Sequence, residues 1–137
     1  MLKNIFNGEI NIMEAIKLGQ IEMSIFEIQK NLAKSLSSKE SIDNNIESIQ
    51  EDMNKLLLIG SEISNMKSKN SAVINEFSQI GVVLNLLYKR MDCALDMIQK
   101  GEEKGYLELI EIGTIFSNTE KEITSIIEDK KNSILNK

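Results

Sequence analysis

The chain has 137 residues, 42% hydrophobic and 27% charged, with a formal net charge of −5 and no Pro, His or Trp. That length fits one domain, and the balance of apolar and charged residues belongs to a globular or coiled-coil chain rather than a disordered one. Without His there is no Ser-His or Cys-His catalytic pair, no His-assisted zinc site and no Glu-x-x-His di-iron site; the single Cys93 builds neither a disulfide nor a CxxC motif within one chain.

Taken in chain order, the first segment is 1–9, where Leu2, Ile5 and Phe6 alternate with Asn4, Asn7 and Gly8. It is expected to be a flexible end that folds back on the rest or docks a partner. Lys3 is its only base, too little for an amphipathic helix lying on a membrane. It also lacks the apolar run and small-residue cleavage site of a secretory signal. The cytoplasm is the expected location, with export by a signal-less route left open.

Leu18, Ile21, Ile25, Ile28 and Leu32 recur at steps of three and four, which predicts a first helix over about 10–36. Ser37 and Glu40 form a capping box, where hydroxyl and carboxylate satisfy orphaned backbone N–H groups. A second helix, about 38–66, then carries Ile42, Ile46, Ile49, Met53, Leu56, Gly60 and Ile63. If the box does not break the chain, these two helices fuse into one. Lys67, Ser68, Lys69 and Asn70 make a polar turn, with Asn70 or Ser71 as the next cap.

The third helix has the longest seam: Val73, Phe77, Ile80, Leu84, Leu87, Met91, Ala94 and Ile98. Ile74, Gly81, Tyr88 and Leu95 double it, so this helix is expected to be the most enclosed. Gly101 and Gly105 bracket the next turn. A fourth helix, about 106–134, shows Ile112, Phe116, Thr119, Ile123 and Ile126 and loses the pattern at Lys130. If 67–70 is a turn, Gly60 and Gly81 fall at one level, where two helix backbones approach closely.

The fold expected is therefore all-α: an elongated antiparallel up-down bundle of four helices, or three long ones, packed through coiled-coil-like heptad seams. No apolar run approaches the roughly 20 residues of a transmembrane helix. Acids and bases are interspersed, and Arg90 is the only arginine among 16 cations. Nucleic-acid binding favours concentrated positive charge and Arg, so it is not expected. The abundance of Ile, Lys and Asn is what an AT-rich genome encodes, and a bacterial source is expected.

Candidate sites each have a bland reading that prevails. Asp92 and Asp96, and Glu108 and Glu111, share helix faces and would serve for cation binding or acid–base work in a core. Their neighbours on the seam are apolar, so both pairs are read as solvated. Cys93 lies mid-helix between Asp92 and Ala94, without the positive surroundings of a reactive thiol, and is read as a half-buried structural residue. Met13, Met23, Met53, Met66, Met91 and Met97 are read as core filling rather than an adaptable groove.

Tyr88 and Asp92 make a Tyr-x-x-x-Asp pair with Leu95 a turn on. The spacing resembles the secretion pattern of helical-hairpin substrates of type VII systems. It covers only those positions, the Trp-x-Gly turn of that family is absent, and the family is not assigned.

No catalytic, cofactor-binding or metal site emerges, and no small-molecule substrate. The function expected is that of a non-enzymatic protein whose helical faces bind a partner or its own copies. Apolar surface carries the expectation: the doubled seam of the third helix and a second apolar edge on the first (Ile12, Ile16, Met23, Phe26) exceed what one bundle encloses. Homodimerisation follows. The alternatives are a small secretion- or flagellar-type chaperone, a signal-less exported protein, or an accessory or inhibitor protein of a mobile element.

Overall fold

A computed structural model describes the backbone of residues 2–66 and 71–135 and the side chains of 12–66 and 76–132. Among the described residues it is all helix, without strands, in five helices: α1 (Leu2–Ser35), α2 (Lys39–Asn44), α3 (Ile46–Ser64), α4 (Ser71–Gln99) and α5 (Lys104–Leu135). The periodicity of three and four thus governs the chain as expected. The expected turn at Lys67–Asn70 and its cap lie outside the described residues.

Three boundaries differ from expectation. α1 starts at Leu2 rather than near residue 10. Asn4, Asn7 and Gly8 lower helix propensity without forbidding helix, and no Pro stops it. The first two helices do not fuse, yet the break is built by Ser38, not Ser37. Ser38 Oγ accepts from the Ser41 N–H at 3.1 Å, while Ser37 Oγ donates to the Lys34 carbonyl at 2.9 Å. Ser41 Oγ donates to that same carbonyl at 2.8 Å, so two hydroxyls close the end of α1. The expected second helix is itself divided at Asn45, whose backbone (φ −129°, ψ 23°) leaves the helical region between α2 and α3.

Gly101 ends α4 as expected. Its φ is 81°, and its N–H bonds to the Ile98 carbonyl at 3.0 Å while Glu102 N–H bonds to Met97 at 2.8 Å. This is a Schellman closure. Gly105 has a different task from the one its position implied. It lies inside α5, and a Cβ there would sit 2.7 Å from the Ala94 carbonyl oxygen and 2.9 Å from Ile98. Its missing side chain lets the start of α5 press on the end of α4.

The four long helices touch in a ring: α1 with α3, α3 with α4, α4 with α5, and α5 with α1, while α2 packs on α1 and α3. Each long helix therefore has two long neighbours, and α4 is no more enclosed than the others. Along α1 and α5 rising numbers meet falling ones, Glu22 with Lys131 and Gln29 with Ser117. The same holds for α4 and α5, where Glu76 pairs with Lys130 and Arg90 with Glu108.

The core draws on every expected seam. Leu18, Ile21, Ile25, Ile28 and Leu32 are buried on α1, as are Ile42, Ile49, Met53, Leu56 and Ile63 on α2 and α3, and Phe77, Ile80, Leu84, Leu87, Met91 and Ala94 on α4. Gly60 and Gly81 do meet. A Cβ on Gly60 would lie 3.5 Å from the Gly81 carbonyl oxygen; one on Gly81 would lie 3.0 Å from that of Gly60 and collide with Ser64 Oγ. On α5 the expected stripe departs from the structure past Phe116: Glu120 and Ile127 are buried, and Thr119 and Ile126 only half-buried. Thr119 turns its hydroxyl to the Ile115 carbonyl at 2.8 Å, which suits a position beside the core rather than in it.

Candidate interaction surface

A helix packed in a ring needs one apolar side, and α1 has two. Its inner side supplies Leu18, Ile25 and Leu32, each at most 1% exposed. At 3.6 residues per turn, Ile12, Ile16, Gly19, Met23 and Phe26 form a second heptad series on the opposite side. There Ile12 is 53% exposed, Ile16 59%, Met23 70% and Phe26 53%. Lys30 continues the series and lays its ammonium 5.6 Å from the Phe26 ring centre. This is the apolar edge expected from the sequence, and it faces outward.

Beside the stripe runs a groove between α1 and α3. One section of about 640 Å³ is lined by Met13, Ile16, Gln20, Ser24 and Glu62; the next, of about 300 Å³, shares Ser24 and Glu62 and continues past Asn31, Lys55 and Leu58. Its walls mix apolar side chains with charges of both signs.

The surplus on the expected third helix lies elsewhere than the doubled seam. Gly81 and Leu95 are buried and Tyr88 packs against the core, so that second stripe, apart from Ile74, whose side chain lies outside the described residues, is used within the chain. The exposed apolar residues of α4 are instead Val82, Val83 and Leu86, and α3 exposes Leu57 and Leu58.

The residues read for chemistry are placed as follows. Asp92 and Asp96 are exposed, with Asp96 bound to Lys100 at 2.9 Å. Glu108 receives Arg90 at 2.6 Å, and Glu111 is exposed. Asp92, Asp96 and Glu111 thus stand in solvent, while Glu108 is half-buried in its ion pair. Cys93 is an exposed free thiol, not a half-buried one; it falls outside the α4 seam, more than a quarter turn from Ala94 and nearly half a turn from Met91. Met53, Met66 and Met91 are core, but Met13 and Met23 stand in solvent. Core filling therefore describes only part of the set. Among the described residues, no group of three His, Cys, Asp or Glu is arranged to hold a metal ion.

Sequence reasoning missed two buried acids. Asp52 is 2% exposed and Glu120 8%. Both were visible as members of alternative stripes: Asp52 in Ile49, Asp52, Leu56, Ile59, Ile63, and Glu120 in Ile112, Phe116, Glu120, Ile123, Ile127. Glu120 accepts the Thr124 hydroxyl at 3.1 Å. Asp52 Oδ2 has no hydrogen-bond partner, and burial pushes its carboxyl above the ordinary range despite Lys55 and the Asn31 amide.

One polar cluster ties α2 to α5. Lys39 Nζ meets Glu103 at 2.8 Å and lies 5.0 Å from the Tyr106 ring centre, while the Tyr106 hydroxyl donates to Asp43 at 2.5 Å. Lys39 holds the Glu103 carboxyl below its usual range, and the bond to Asp43 raises the Tyr106 phenol. Lys39, Asp43 and Glu103 are exposed and Tyr106 is half-buried with its ring against the core, which is the setting of a clasp between α2 and α5.

Among the described residues, no helix is long and apolar enough to cross a membrane. Family models, curated proteins and solved structures were compared with the chain, and none matches.

Proposed function

We propose that this chain is a one-domain, non-enzymatic up-down bundle, packed through heptad seams, whose exposed helical faces bind other helices, its own copies first. The observation that carries the proposal is the outward heptad series of α1. Large apolar side chains left half or more in water along one helix side cost solvation free energy, which only a contact outside the ring recovers. The spacing of that series is the one that seats another helix. The ring of neighbours and the opposed running of α1 with α5 and of α4 with α5 support the bundle reading.

The assignment as a binding rather than a catalytic protein rests on the solvated carboxylate pairs. A reaction centre needs perturbed groups converging on one recess. Asp52 is perturbed but walled in, and Glu120 is engaged by Thr124. Sedimentation equilibrium from low to high micromolar concentration tests the reading: the apparent mass is expected to climb toward twice that of the chain. A single monomeric species throughout would overturn it.

The groove between α1 and α3 favours a second reading, a chaperone-like hold on a helical segment of another protein. Under that reading the purified chain stays monomeric and a dedicated partner protects the groove from hydrogen exchange.

A further inference from the structure

Gly19 is the one glycine within α1 whose side-chain space is described, and an added Cβ there would meet nothing within 4 Å. Gly81, Gly105 and Gly113 each have neighbours that crowd an added Cβ, and Gly60 has the Gly81 backbone in ordinary contact. Gly19 has none in its own chain, yet it lies in the middle of a 34-residue helix, where glycine is unfavourable. It also sits within the outward series, leaving a notch between Ile16 and Met23.

Resting on the reading of helix-binding faces given above, we infer that the occupant of this surface is α1 of a second copy, packed antiparallel about a two-fold axis. The notch wants a large, adaptable side chain, and the most exposed one on the stripe is Met23. A two-fold contact is reciprocal: if Met23 enters the partner's notch at Gly19, the partner's Met23 enters this one. The midpoint of that pair is residue 21. The same midpoint sets Ile16 against the partner's Phe26, and Ile12 against the stem of the partner's Lys30. One operation thus matches all four exposed apolar residues, and the interface ends where Lys30 returns the series to charge.

Size and charge agree with a second copy. Ile12, Ile16, Met23 and Phe26, at 53–70% exposure, offer on the order of 100 Å² each. Two copies cover about 800 Å² through these residues, and flanking side chains such as Met13 and Gln20 carry the total toward the ~1,200 Å² at the low end of specific interfaces. Such an area fits a dimer that forms at micromolar concentration. The net charge of −5 is not concentrated here: Lys30 stands on the stripe itself, Glu27 lies at one edge, and Glu22 at the other is paired with Lys131.

The test uses the full chain with Cys93→Ser as background. An equal mixture of Ile16→Cys and Phe26→Cys chains is expected to form the mixed disulfide dimer, while each alone remains largely uncrosslinked. Gly19→Leu is expected to weaken association by roughly tenfold or more, since it fills the notch. Its folding, read by circular dichroism and melting at dilution, should be intact because the position is open: an added Cβ meets nothing within 4 Å. Crosslinking of each single variant with itself would overturn the antiparallel arrangement. A dimer in sedimentation that neither forms the mixed disulfide nor responds to Gly19→Leu would overturn α1 as the interface while leaving self-association standing. A monomer at every concentration would overturn both.

Discussion

Asp52 is a carboxylate in the wall of the core with one oxygen unpartnered, and such a group costs stability rather than adding it. Asp52→Leu is therefore expected to stabilise the fold by about 1–3 kcal/mol, read by urea denaturation. Burial also raises the carboxyls of Asp52, Glu14 and Glu22 above their ordinary values. For these groups the protonated form suits the fold, so their contribution is fully present below the ordinary carboxylate range and is lost as pH rises through the raised folded values. The melting temperature should accordingly increase on mild acidification from neutrality, and less so in Asp52→Leu. Glu103 and Glu128 shift the opposite way, but both are at the surface, where screening leaves little effect. The glycines make a second residue-scale contrast. Gly19→Ala should raise dilute-solution stability by about 1 kcal/mol through helix propensity, whereas Gly105→Ala should cost about 1–3 kcal/mol because its Cβ meets the Ala94 carbonyl. Thermal melts of the two variants decide both.

Among the elements, α2 is the one that sequence reasoning did not separate. Its six residues are held by buried Ile42 below and by the Lys39, Asp43, Glu103 and Tyr106 clasp above. Apolar burial should dominate. Ile42→Ala is expected to cost about 2–5 kcal/mol, and Lys39→Ala less than about 1 kcal/mol, in chemical denaturation. The long helices were legible because a stripe repeating every three or four residues reports directly on which side meets a neighbour. The seams of α1, α3 and α4 and the meeting of Gly60 with Gly81 followed from that spacing. Breaks were harder, since Ser37 and Ser38 both offer a hydroxyl and only the backbone path chooses between them. Asn45 carried no stop signal stronger than its own poor helix propensity. The stripe of α5 went astray where a threonine and a glutamate compete for one level, because hydropathy ranks Thr119 above Glu120 while the acid is the one that lies in step with buried Phe116, Ile123 and Ile127.

At the scale of the whole molecule, four long helices in a ring fill one another's inner sides and leave a heptad-spaced apolar stripe on the outer side of α1. That regular spacing is what the proposed pairing uses: the interface was legible as an excess of apolar residues on the first helix, while the notch at Gly19 needed coordinates to be seen as empty. The ring also makes every long helix depend on two others. A chain ended after Gly101 would leave α1 and α4 each without one neighbour, and it is expected to lose the cooperative thermal transition of the full chain, as calorimetry would record.

The ring closes between its first and last members, where Glu22 and Lys131 meet across 109 positions of sequence. Contacts of such separation carry a high loop-closure entropy and form late, whereas α3 and α4 are joined by a short connection and meet early. During synthesis the inner stripe of α1 is made first and covered last. Until α5 leaves the ribosome, that stripe stays wet on one flank, a long amphipathic rod waiting for its lid.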